Sequence, residues 1–149
     1  MPKPGYKLVK SLFGKYEEIP EEWELLPFEK LCEKITDGTH FTPTYVEEGI
    51  PFISTENIHP SIRGFDFSRY RKYITEKEHK QLIKRAKPEK GDILVSKCGT
   101  IGRTKLIDID LEVSLFVGLM LLKLKKNLVN GKFIEQILNS EPFHKKMQI

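Results

Sequence analysis

Lys90-Gly91-Asp92-Ile93-Leu94-Val95-Ser96-Lys97-Cys98-Gly99-Thr100-Ile101-Gly102-Arg103 reads as a turn, an apolar strand and a glycine loop in succession. Ile93, Leu94 and Val95 form a short, largely β-branched run behind turn residues, which predicts a strand. Gly99 and Gly102 stand three apart ahead of a second strand predicted over 104–109. The loop between them therefore requires backbone conformations that other residues avoid. Downstream, two more strands are predicted within 112–124 and a helix over 131–139, with Phe133, Ile134, Ile137 and Leu138 buried. Ser140-Glu141-Pro142 then caps another helix, expected to stop at Ile149.

Upstream of the turn, Thr75 and Glu78 are spaced as a capping box, the hydroxyl taking the N3 amide and the carboxylate reaching back to the Thr75 amide. The helix so started is expected to bury Leu82, Ile83 and Ala86 and to leave Lys77, Lys80, Lys84 and Arg85 for solvent or phosphate. Apolar residues 50–54 predict a strand, and 39–49, with Thr42, Pro43 and Thr44, a loop. Pro27 is read as opening a helix in which Phe28, Leu31, Cys32 and Ile35 recur at helical spacing until Asp37-Gly38 stops it, behind a short strand over 23–26. Proline and glycine interrupt residues 1–21, which are read as an irregular tail leading into one domain over 22–149. The expected class is α+β: a twisted mixed or mostly antiparallel sheet with peripheral helices around one core that holds Trp23, Phe52, Ile53, Leu94 and Val95.

With 149 residues, 39% hydrophobic, the chain is long enough to bury a core without metal or disulfides. No apolar run is long enough to cross a bilayer, and the first residues lack the apolar centre of a signal peptide. Cys32 and Cys98 have no metal-type spacing and are read as reduced thiols of a cytoplasmic protein. Charge is uneven: residues 1–62 carry 6 basic and 11 acidic groups, 63–90 carry 10 and 4, and 91–149 carry 9 and 6. A polyanion-binding surface needs such asymmetry, and a solvated lysine-rich helix produces it too.

Reactive centres find little support. Asp66 with Glu78-His79-Lys80 mimics a nuclease metal site, but its carboxylates should converge from a sheet, whereas Glu78 is placed on a helix and engaged in its cap. His40, His59, His79 and His144 show no paired spacing for zinc. Gly99-Thr100-Ile101-Gly102 lacks the lysine and helix start of a phosphate-binding loop, and no Gly-x-Ser-x-Gly elbow occurs.

In contrast, Trp23, Leu26 and Phe28, then Thr36-Asp37-Gly38-Thr39-His40 with Thr42-Pro43, then Gly49-Ile50-Pro51-Phe52-Ile53-Ser54 resemble the opening of target-recognition domains in DNA-specificity subunits of type I restriction-modification systems. Ile74-Thr75, the block from Lys90 to Ser96, Gly99-Thr100-Ile101-Gly102, and the closing Phe133-Ile134 and Leu138-Asn139-Ser140 look like later blocks of that family in the same order, over about residues 20–147. The resemblance implies a non-catalytic component that reads one half of a bipartite double-stranded DNA target for a methyltransferase subunit and, through it, a restriction subunit. It implies no cofactor of its own, since S-adenosylmethionine and ATP belong to the partner subunits, and no membrane partner. Complete subunits of the family carry a long spacer helix and a second recognition domain, before which this chain is read as truncated. A remnant acting by protein–protein contact and a recognition domain detached from a fused restriction-methylation enzyme stay as alternatives.

For DNA contacts the candidates are Arg63, Arg69, Arg71 and Lys72, whose rings and cations interleave with Phe65, Phe67, Tyr70 and Tyr73, and Lys97, Thr100, Arg103 and Lys105 around the glycine loop. Thr39 and His40, beside Asp37 on a polar loop, either contact bases or close a local turn. Gly38, Gly91, Gly99 and Gly102 are assigned to the fold.

Overall fold

A central four-stranded antiparallel sheet runs in the order β3-β9-β6-β7 through a computed structural model that describes residues 1–11 and 14–143. Its strands are β3 (Cys32–Asp37), β6 (Ile93–Ser96), β7 (Thr104–Leu106) and β9 (Leu119–Leu124). A second sheet has β4 (Ile50–Ile53) between β5 (Lys72–Ile74), antiparallel, and β8 (Ser114–Leu115), parallel. With helices α1 (Glu76–Leu82) and α2 (Gly131–Leu138) the class is α+β, with mixed and antiparallel pairing.

Strand β6 explains the layering. Strands alternate their side chains between two faces, so an uninterrupted apolar run must be covered on both. Leu94 joins Leu119, Leu121, Ile53 and Leu115 on the face toward the second sheet. Ile93 and Val95 join Leu122, Leu124, Ile134 and Leu138 on the face toward α2. The expected single core is thus two apolar clusters on opposite faces of one sheet. Full burial of each aliphatic side chain contributes roughly 1.5–3 kcal/mol, which makes β6 and β9 the anchor of the fold.

Helix α2 also closes the free edge of β7. Its Glu135 Oε2 accepts the Leu106 amide at 2.5 Å, and Asn139 exchanges two bonds with Thr104, Oδ1 accepting its amide at 3.0 Å and Nδ2 donating to its carbonyl at 2.7 Å. Covering an edge in this way removes a template for intermolecular pairing. The helix is rotated from the expected register as a result: Glu135 is buried and Phe133 is 60% exposed.

Three further expectations are corrected. Residues 32–37 form β3 rather than helix, because pairing with the apolar β9 outweighs a four-residue helical pattern; only 28–31 makes a 3-10 turn. No strand forms over 23–26, and Trp23 is 61% exposed rather than core. Within the supposed tail, β1 (Tyr6–Lys10) and β2 (Tyr16–Pro20) pair antiparallel as a hairpin. The expected end of the last helix, at Ile149, lies outside the described residues.

Candidate nucleic-acid interface

Strands β3 and β6 both pair antiparallel with β9 and therefore point the same way, so the segments that follow them emerge at one end of the central sheet. Strands β4 and β8 run parallel and lead to that same end, where the Phe116 amide donates to the Ile53 carbonyl at 2.9 Å. Four connections meet there: those after β3, after β4, between β6 and β7, and between β8 and β9. They enclose an open cleft of about 880 Å³ whose lining includes Tyr45, His59, Arg69, Tyr70, Thr100 and Arg103, with Glu56 and Asp66 as its acids.

Buried polar groups hold the walls. Asn57 is fully buried; its Oδ1 accepts the Ser54 amide at 2.9 Å, and its Nδ2 donates to the Asp66 and Tyr70 carbonyls at 2.8 and 2.7 Å. One side chain thereby folds the whole 54–70 loop over the end of β4. Its only sequence signal is the Ser-x-x-Asn spacing of a small capping box. Lys105 is a second brace. It is 1% exposed, donates to the Ile62 carbonyl at 2.7 Å and lies 3.5 Å from Asp108 Oδ2, while Asp108 Oδ1 takes the Gly64 amide at 2.8 Å.

The glycine loop is folded on Ser96. The Ser96 hydroxyl donates to the Thr100 carbonyl and accepts the Arg103 amide at 2.9 Å, with Gly99 and Gly102 at φ +69° and +85°. Positive φ is the conformation expected of these glycines. Arg103 reaches across the cleft, its Nη1 3.4 Å from the Thr55 and Ile58 carbonyls, and so locks the glycine loop to the loop after β4.

Of the candidate contacts, Arg69, Thr100 and Arg103 line the cleft together. Lys72 Nζ lies 5.2 Å from the ring of Tyr45, itself a lining residue, and Arg63 and Arg71 are exposed on the same loop. Two assignments are corrected. Thr39 is buried as a base contact would not be, its amide donating to the Leu115 carbonyl at 3.0 Å because β3 continues into contact with β8. Its hydroxyl takes the Phe41 amide at 3.3 Å, which closes the local turn, the other reading of this residue. Lys105 is buried as described, so it braces the loop instead of meeting a ligand. Lys80 and Lys84 are exposed on α1 and beyond it, next to Glu76 and Gln81.

Lys97 and His40 belong to a cluster beside the cleft, outside its lining. Asp37 accepts from Lys97 Nζ at 2.6 Å on Oδ2 and from Arg85 Nη2 on Oδ1, with His40 Nε2 3.3 Å from the same Oδ1. The ammonium and guanidinium hold this carboxyl far below the usual carboxylate range. Arg85 was expected on a helix face open to solvent or phosphate; no pattern in the chain joins it to a residue 48 positions away.

The acid pattern read against a nuclease is also dispersed. Glu78 Oε1 lies 3.4 Å from the Thr44 amide instead of closing the reciprocal half of the Thr75 cap, and His79 is buried with Nδ1 2.7 Å from Ser114 Oγ. Burial pushes the His79 pKa below its ordinary value. Among the described residues no three His, Cys, Asp or Glu side chains gather in metal-binding geometry, and no helix is long and apolar enough to cross a membrane. No protein-family model matches the chain, and no curated protein matches it.

Proposed function

We propose that the chain is a non-catalytic double-stranded DNA-binding domain that reads one half of a bipartite target for a type I restriction-modification methyltransferase. The observation that carries this reading is the convergence of Arg69, Thr100 and Arg103 on one open cleft at the loop end of the sheet. Arginine presents a planar fork suited to guanine O6 and N7, hydroxyls bond either purines or phosphate, and acids such as Glu56 and Asp66 accept from cytosine N4. A rigid sheet presenting polar loops also allows the recognised sequence to change without changing the fold. The ordered motif resemblance supplies the biological setting, in which S-adenosylmethionine and ATP are bound by partner subunits.

The test is selection from a pool of random duplexes at moderate salt. Enrichment of a short motif is expected, and Arg69→Ala should relax preference within it, at a cost of about 1–3 kcal/mol in discrimination at the affected position. Retention of all sequences alike would overturn the reading.

A further inference from the structure

Two cations from distant parts of the chain, Lys97 just after β6 and Arg85 just after α1, are drawn to the carboxylate at the end of β3. Asp37 is mostly covered, with 18% of its side chain exposed, whereas Arg85 and Lys97 are 52% and 38% exposed. The acid therefore sits behind the bases. Arg85 turns Nε and Nη2 inward, Nε to the Asp37 carbonyl at 3.3 Å and Nη2 to the carboxylate, which leaves Nη1 for an outside acceptor. Lys97 spends one of its three donors on Asp37. Two cations thus share one carboxylate, which leaves a positive excess, and Lys34 Nζ, donating to the Arg85 carbonyl at 2.7 Å, adds a third cation nearby.

The cluster is continuous with the cleft. Lys97 precedes Cys98, which lines the cleft and whose carbonyl takes the Thr55 hydroxyl at 3.2 Å. Pre-fixed donors with Nη1 and two ammonium protons left over match a phosphate diester better than a base edge, because both side chains stand beside the cleft and not in its lining.

We infer that Arg85 and Lys97 form a clamp for one backbone phosphate of the duplex, and that Asp37 is the positioning residue that orients them. This rests on the duplex-binding reading above. It also separates positioning from bulk charge, since removing a negative charge beside a phosphate should otherwise strengthen binding.

The experiment measures the affinity of a fluorescein-labelled mixed-sequence duplex across a range of salt for the full chain and its variants. Arg85→Ala with Lys97→Ala should weaken binding at least tenfold and lower the salt slope by about one. Asp37→Asn should weaken binding about threefold despite its added positive charge. Arg85→Lys keeps the charge and loses the fork, and should weaken binding similarly; it serves where Asp37→Asn lowers thermal stability. Stronger or unchanged binding in a folded Asp37→Asn protein, or unchanged binding in Arg85→Lys, would overturn the positioning role. An unchanged slope in the double variant, against a salt-dependent parent, would overturn the clamp alone. A parent without salt-dependent affinity would instead overturn the duplex reading.

Discussion

At the scale of single residues, the decisive distinction is between a cation that meets a ligand and one that builds the wall behind it. Lys105 is of the second kind. Its ammonium is buried on the Ile62 carbonyl and Asp108, and that same aspartate holds the Gly64 amide. Lys105→Met should keep the aliphatic packing of the stem while leaving a carbonyl without its donor, at about 1–3 kcal/mol of stability in urea unfolding. Duplex affinity should fall through the displaced 62–64 loop while the salt slope stays that of the parent, because no phosphate partner is lost. A slope reduced by about one would put Lys105 in contact with DNA after all. In sequence Lys105 and Lys97 look alike, two lysines flanking the same glycine loop; strand alternation at the β7 edge, which turns one inward, decides between them.

At the scale of elements, glycines separate two kinds of constraint. Gly99 sits at φ +69° with only Thr55 Cγ2, at 3.8 Å, near the place of a Cβ; Gly38 has ordinary φ, but a Cβ there would overlap the Leu115 and Phe116 carbonyl oxygens. Gly99→Ala should therefore cost about 1–2 kcal/mol of left-handed strain and still fold. Gly38→Ala must part β3 from β8 and should lower stability by more than 3 kcal/mol or abolish folding. Thermal unfolding of the two variants checks the order, and equal losses would contradict it. The positive-φ glycines were legible in the chain because their spacing between two strands demands a tight loop. The close approach at Gly38 was not, because it depends on a partner strand some 80 residues away. The same non-local cause turned residues 32–37 from a plausible helix into β3: four apolar residues satisfy a helical period, and only the row of leucines in β9 makes the strand the better partner. Apolar runs buried on both faces, as in β6, carry their identity with them.

At the scale of the whole molecule, the charge asymmetry visible in the sequence becomes a division between the two ends of the central sheet. At the loop end stand Arg69, Arg103 and the Asp37 cluster; at the other end Lys123 and Lys126 are held by the buried carboxylate of Asp92, at 2.5 and 3.2 Å. Net charge alone treats these groups as equivalent, and only the fold says which remain free for a polyanion. Two charge reversals of equal size distinguish the ends. Arg71→Glu with Lys72→Glu alters exposed cations beside the cleft. Lys87→Glu with Lys90→Glu alters exposed cations in the segment leading to the turn before β6, where the exposed Lys87–Glu89 pair at 3.8 Å contributes little to stability. Both change the net charge by the same amount, so a nonspecific electrostatic attraction would weaken duplex binding equally in the two. If the loop end is the interface, the first pair should reduce the salt slope by about two and affinity for every duplex alike, and the second should leave the slope unchanged. Equal losses in both would mean that the chain attracts DNA by overall charge, with no face of the sheet preferred.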